Sequence, residues 1–161
     1  MGLDMYLSKK TYVQNWDHHT PEERHEVIVK RGGKLVESIK PERVSYIEEQ
    51  VGYWRKANHI HNWFVQNVQN GEDDCKSYYV DIADLMNLLD MCKQVKENPS
   101  KGEELLPTTS GFFFGDTDYN EHYMNDIDHT IEILEQVLSE KVKDKNGREY
   151  YSGDYFYSAS W

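Results

Sequence analysis

Between Ile82 and Val95 the apolar residues fall at helical spacing: Ile82, Leu85, Met86, Leu89, Cys92 and Val95. A helix patterned this way carries one apolar stripe and needs a second apolar surface to cover it. Asp81 stands at the capping position with Asp84 three residues on, and Asn98-Pro99 ends the run. A second stripe follows at Met124, Ile127, Ile131, Leu134 and Leu138. A third begins at Arg55, with Ala57, Ile60, His61, Phe64 and Val68 in register and Asn70-Gly71 as its stop.

The covering surface comes from segments that alternate. "LDMYLSKKTYV", Leu3 to Val13, reads as a strand, and "KSYYV" as a short one. "HEVIVKRGGKLVE" predicts a hairpin of Val27–Lys30 and Lys34–Glu37 around Gly32-Gly33. "ERVSYIEEQVGYW" fits either period, and Gly52 favours a strand that bends there. "LLPTTSGFFFG" predicts a loop leading into a short apolar strand, Phe112 to Phe114. "REYYSGDYFYSASW" predicts a terminal hairpin around Ser152-Gly153, with Tyr155, Tyr157 and Ala159 on one face and Phe156, Ser158 and Ser160 on the other. About three helices on a largely antiparallel sheet make an α+β fold, and residues 1–161 fit one domain.

A net charge of −11 disfavours direct nucleic-acid binding and anionic membranes, which reward clustered Lys and Arg. It allows a basic partner. Twelve tyrosines in 161 residues suit either a tyrosine-rich sheet or an interface. Cys75 and Cys92 are too few for a disulfide framework, and Cys92 lies within a core stripe. No run reaches membrane-spanning length and no signal-peptide core is present, so a cytoplasmic setting is expected. The histidines lack metal-ligand spacing, and neither a P-loop nor a GxSxG elbow occurs, so no cofactor, metal or catalytic residue is assigned.

The chemistry-bearing segment is "YWRKANHIHNWF", Tyr53 to Phe64. On a helical wheel His61 shares the buried stripe, whereas Arg55, Asn58, His59, Asn62 and Gln66 fall opposite, as does Trp63. His61 is either a satisfied core histidine or a base or ligand contact. Arg55-Lys56 at a helix start oppose the helix dipole, which is tolerable in solvent or useful if an anion binds there. "PTTSG" offers the hydroxyls of Thr108, Thr109 and Ser110 beside a glycine, and Asp116, Asp118 and Glu121 read as caps and first-turn charges of the last helix.

Taken together, "MGLDMYL", "YWRKANHIHNWF", "LLPTTSGFFFG" and "YFYSASW" resemble a family of small proteins from bacteria and their phages, known mainly as hypothetical proteins and in some cases labelled phosphoglycerate kinase. The resemblance runs from Met1 to Trp161. The kinase label fails physically, because that enzyme needs two large lobes and a nucleotide-phosphate loop. The longer stretches "QNWDHHTPEERHEV" and "NGEDDCKSYYV" are closer to the phage versions, which implies a phage setting and interference with host defence.

The site implied is a ligand-binding one of Tyr53, Trp54, Arg55, Lys56, His61, Thr109, Ser110, Tyr157 and Trp161. Arg55 and Lys56 would neutralise a small anionic, nucleotide-like ligand, His61 or Ser110 would hydrogen-bond it, and Trp54 or Trp161 would stack on it. Two alternatives stand beside this reading: an acidic inhibitor of a basic host nuclease or other defence protein, and a small hydrolase or transferase with His61 as base. The last strand is expected to pair within the sheet and to bring Trp161 close to the Tyr53–His61 segment.

Overall fold

The computed structural model describes residues 2–161. Its centre is a four-stranded antiparallel sheet made of β1 (Asp4–Tyr12), β4 (Tyr46–Arg55), β5 (Tyr78–Val80) and β8 (Asp154–Ser160), in the order β4-β1-β8-β5. Two small hairpins lie outside it: β2 (Lys30–Arg31) with β3 (Lys34–Leu35), and β6 (Val142–Lys143) with β7 (Glu149–Tyr150). Four helices complete the α+β domain: α1 (Asn58–Asn67), α2 (Ile82–Glu97), the four-residue α3 (Gly102–Leu105) and α4 (Glu121–Ser139).

Alternation along the strands sorts the sheet into two faces. Met5, Leu7, Trp54, Val80, Tyr155, Tyr157 and Ala159 point to the helices and are buried. They form one core with Ile60 and Phe64 of α1, Leu85, Leu88, Cys92 and Val95 of α2, and Ile127, Ile131 and Leu134 of α4. Burial pushes the Cys92 thiol up to about 12, which keeps it a protonated core side chain. The opposite face, with Tyr6, Tyr53, Tyr79 and Phe156, carries no helix, and its rings pair across strands, Tyr6 with Tyr53 at 5.5 Å and Tyr79 with Phe156 at 5.9 Å.

Both long stripes form helices, with Asp81 capping α2 through Ala83 N–H. Met86 leaves its predicted stripe for solvent while Leu88 enters the core. β4 does bend, though the extra residue is Val51: Leu7 faces Gly52 and Ser8 faces Gln50, a bulge on an edge strand. A Cβ at Gly52 would meet Ile133 at 2.9 Å, so the glycine lets α4 approach the sheet. The Gly32-Gly33 turn forms, but the strands it joins are short: beyond the Lys30–Leu35 pair only Val36 N–H to Val29 O at 3.0 Å continues them.

Two expectations fail and a third holds only in part. Phe112 to Phe114 form a turn, not a strand: Phe114 N–H closes onto Gly111 O, Phe112 is 94% exposed and Phe114 is buried. The C-terminal segment is not a hairpin on itself, because β7 pairs with β6 and β8 inserts between β1 and β5. The cap of α4 is Asn120, whose Oδ1 accepts from His122 and Tyr123 N–H, while Asp116 accepts from Asp118 N–H in the preceding turn; of the three acids only Glu121 stands in the first turn, as expected.

Candidate functional site

The four motifs meet at one end of the sheet. Lys56 N–H donates to Leu3 O at 2.8 Å, and Leu3 N–H donates to Phe113 O at 3.2 Å. Trp161 brings the last motif alongside, with its ring 5.8 Å from His61 and 6.1 Å from Phe114. The pairing of β8 and the approach of Trp161 to His61 are as the alternation predicted.

The helix does not begin at Arg55. Arg55 closes β4, Lys56 takes a left-handed φ of 60°, and Ala57 (φ −77°, ψ 70°) makes a tight turn in which Asn58 N–H reaches Lys56 O at 2.9 Å. This corner directs Arg55 and Lys56 away from the helix axis and leaves Asn58 as the first helical residue. Gly115, at φ +87°, rests on Lys56: a Cβ there would sit 3.3 Å from the Lys56 Cβ.

Asn58 holds the "TTSGFFFGD" loop against this corner. Its Nδ2 donates to Phe114 O (3.0 Å) and Asp116 O (2.8 Å), and its Oδ1 accepts from Thr109 N–H (3.0 Å). The loop and α4 thus cover the side of α1 that the helical wheel assigns to solvent, and Asn58, His59 and Trp63 are buried there.

Between the corner, the loop and α4 lies a cleft of about 290 Å³. Arg55 and Lys56 line one part and Asp116, Asp118 and Asp126 another; His59, His122, Tyr123 and Thr108 are among the remaining lining residues. His59 lies against Tyr123, ring centroids 4.1 Å apart, and its Nε2 is buried without a hydrogen-bond partner. Burial lowers the imidazole to about 3, so at neutral pH it is an uncharged group able to donate or accept. Burial raises Asp126 to about 6, against opposing pulls from His129 and His122. Tyr123 is held by donation of its hydroxyl to Leu106 O at 2.9 Å, and burial pushes its phenol well up. Among the described residues no group of three His, Cys, Asp or Glu side chains is placed to hold a metal ion.

The residues expected to share one site fall into two groups and several outliers. Arg55 and Lys56 line the cleft, with Arg55 only loosely tied to Asp4 at 4.0 Å. His61, Tyr157 and Trp161 form a separate cluster. Asp73 Oδ2 lies 3.0 Å from His61 Nε2, and the Tyr157 hydroxyl lies 2.7 Å from Nδ1. A carboxylate can only accept, so in the neutral ring Nε2–H donates to Asp73 and Nδ1 accepts from Tyr157. Burial holds the Tyr157 phenol well above its ordinary range, which keeps that donor protonated. Both ring nitrogens of His61 are engaged, and Tyr157 is itself stacked on Phe64 at 3.8 Å.

Trp54 is core, its Nε1–H donating to Thr130 Oγ1 at 2.9 Å, and Thr130 in turn donates to Asp126 O at 2.6 Å. Tyr53 lies on the open sheet face, its hydroxyl donating to Asp4 Oδ1, while its carbonyl accepts from His129 Nε2 at 2.9 Å. Thr109 serves through its backbone N–H and Ser110 is exposed on the loop. Sequence reasoning missed Asn58, His59, Tyr123 and Asp126. The only local hint was a tryptophan, Trp63, on a nominally polar helix face.

No helix among the described residues is long and apolar enough to cross a membrane. Comparison with family models, with curated proteins and with solved structures returns no match for this chain.

Proposed function

We propose that the protein binds a small, nucleotide-like ligand bearing one anionic group in the cleft at the β4–α1 corner. The observation that carries this reading is the buried, unpartnered Nε2 of His59 beside two cations, Arg55 and Lys56. A buried polar atom without a partner costs free energy, and a ligand that bonds to it recovers that cost on binding. Charge refines the class. Two cations face three carboxylates, so a di- or triphosphate would meet repulsion, whereas one phosphate or carboxylate at Arg55 and Lys56 leaves Asp116, Asp118 and Asp126 to accept from hydroxyl or amino groups. Size points the same way: about 290 Å³ is at the lower end for ligand pockets, so a nucleoside monophosphate suits the cleft better than a dinucleotide. In the phage setting suggested by the four motifs, such capture would deprive a host defence of a small-molecule signal.

The test is calorimetric titration with nucleoside monophosphates, nucleosides and sugar phosphates. Saturable binding that Arg55→Ala abolishes, with the apo protein still folded, supports the reading. Heats that stay flat across the panel overturn it.

A further inference from the structure

The excursion that joins β1 to β4 buries nothing. None of residues 14–45 is buried, yet Trp16, Ile28, Val29, Leu35 and Ile39 are all exposed there, Leu35 by 66% and Ile28 by 55%. What shapes it is polar and local: Asn15 exchanges hydrogen bonds with His25, Arg24 donates to Trp16 O, and two residues pair on each side of Gly32-Gly33. An arm of this length that presents aliphatic side chains to solvent is built like one half of an interface.

Its charge indicates the other half. Residues 14–45 balance six cations against six acids, but unevenly: residues 14–29 hold one cation and four acids, whereas residues 30–43, which carry Leu35 and Ile39, hold five cations (Lys30, Arg31, Lys34, Lys40, Arg43) and two acids (Glu37, Glu42), a net +3 against −14 on the rest of a chain whose total is −11. The open sheet face offers the complementary surface. A shallow basin of about 430 Å³ there is lined by Tyr46, Glu48, Asp154, Phe156 and Lys10. Its rings are fixed by contacts of their own, Tyr46 against Tyr12 at 5.2 Å and Lys10 Nζ over Phe156 at 4.9 Å. Aromatic walls with acids at the rim suit aliphatic side chains flanked by cations.

We infer that the 14–45 arm docks on a second copy of this chain, with Leu35 and Ile39 entering the basin at Tyr46 and Phe156 and the arm's lysines meeting Glu48 and Asp154. One molecule carries both complementary surfaces, so a two-fold pair uses each of them twice. An acidic protein or a nucleic acid would satisfy only the arm and leave the aromatic face open. The inference is independent of the cleft and of any ligand there.

Sedimentation equilibrium over a concentration series, at low and high salt, reads the association directly. A monomer–dimer equilibrium weakened by salt is expected, and Leu35→Asp with Ile39→Asp should weaken it roughly tenfold or more, because two apolar anchors become charged. Both positions are exposed, so the variant should melt like the parent chain. Carbodiimide coupling of an equal mixture of isotopically labelled and unlabelled protein should join Lys34 or Lys40 of one copy to Glu48 or Asp154 of the other. A chain that stays monomeric at every concentration in low salt overturns the inference, including one that as a monomer binds duplex DNA through the arm. A dimer indifferent to the double substitution, or coupled only at other sites, overturns it as well.

Discussion

The imidazole of His59 rests on the phenol ring of Tyr123, centroids 4.1 Å apart and planes inclined by 34°. One residue comes from the first turn of α1 and the other from the first turn of α4, so their contact fixes how far those helix starts stand apart and sets the back wall of the cleft. Replacing His59 by phenylalanine should keep the stacking and remove the unpartnered Nε2. The apo protein should then be unchanged or stabilised by about 1–2 kcal/mol, while ligand affinity falls. Urea denaturation and calorimetry on the same variant check the two opposite signs. A variant that loses stability would show that Nε2 is already satisfied in the apo state.

Asn58→Ala removes three hydrogen bonds and leaves Thr109 N–H and the Phe114 and Asp116 carbonyls to find new partners. A loss of roughly 2–3 kcal/mol is expected. The loop should loosen more than the core does, so limited proteolysis should cut first near Phe112. Equal protection of that loop in parent and variant would show that Asn58 is not its anchor.

Two groups in the cleft bend the stability–pH curve in opposite directions. His59 falls from an ordinary 6.5 to about 3 on folding, so below pH 6.5 the unfolded chain takes the proton first and stability drops as pH falls towards 3. Asp126 rises from 3.8 to about 6, so between those values the folded chain holds the extra proton and stability drops as pH rises. Between about pH 4 and 6 the two slopes oppose. His59→Phe should therefore leave a curve that declines with rising pH across that window, and Asp126→Asn one that rises. Denaturation midpoints at half-unit pH steps measure both.

A Cβ at Gly102 would lie 2.7 Å from the Tyr123 hydroxyl, so Gly102→Ala must displace the ring that backs the cleft. The Tyr123 bond to Leu106 O should break, at a cost of about 1–3 kcal/mol. Ligand affinity should drop too, although residue 102 is not among those lining the cleft. Unaltered affinity in a destabilised variant would separate Tyr123 from the site.

Tyr157→Phe keeps the stack on Phe64 and deletes the donor to His61 Nδ1. The bared imidazole should cost about 1–3 kcal/mol. Cleft binding should persist, since His61 and Tyr157 lie in the other cluster. Lost binding at full stability would instead place them in the site.

The helices and the two central strands, β1 and β8, could be read because their signals are local. Ile127, Ile131 and Leu134 repeat every three or four residues, and Tyr155, Tyr157 and Ala159 alternate. Phe112 to Phe114 misled because apolar aromatics suit a strand, whereas Gly115 at positive φ and the Gly111–Phe114 closure make a turn. As ligand contacts, only Arg55, Lys56 and the Thr108 hydroxyl were legible in the cleft. A helical wheel assumes one wet side, and α1 has none at its start, because residues 109–116 return to Asn58 and Tyr123 returns to His59. Those contacts cross more than fifty positions of chain and leave no periodic trace in either segment.

The place of β8 between β1 and β5 has a consequence for biosynthesis. Met5 lies beside Ala159, so the central pairing of the sheet joins residues made about 150 positions apart. Until residues 154–160 leave the ribosome, β1 can pair only with β4, and the flank that later receives β8 stays bare. Such high contact order slows folding and leaves an unpaired, partly apolar strand edge open to other nascent chains. Fast production of this protein should therefore favour inclusion bodies, and slower translation or a chaperone that shields β1 should favour the native sheet.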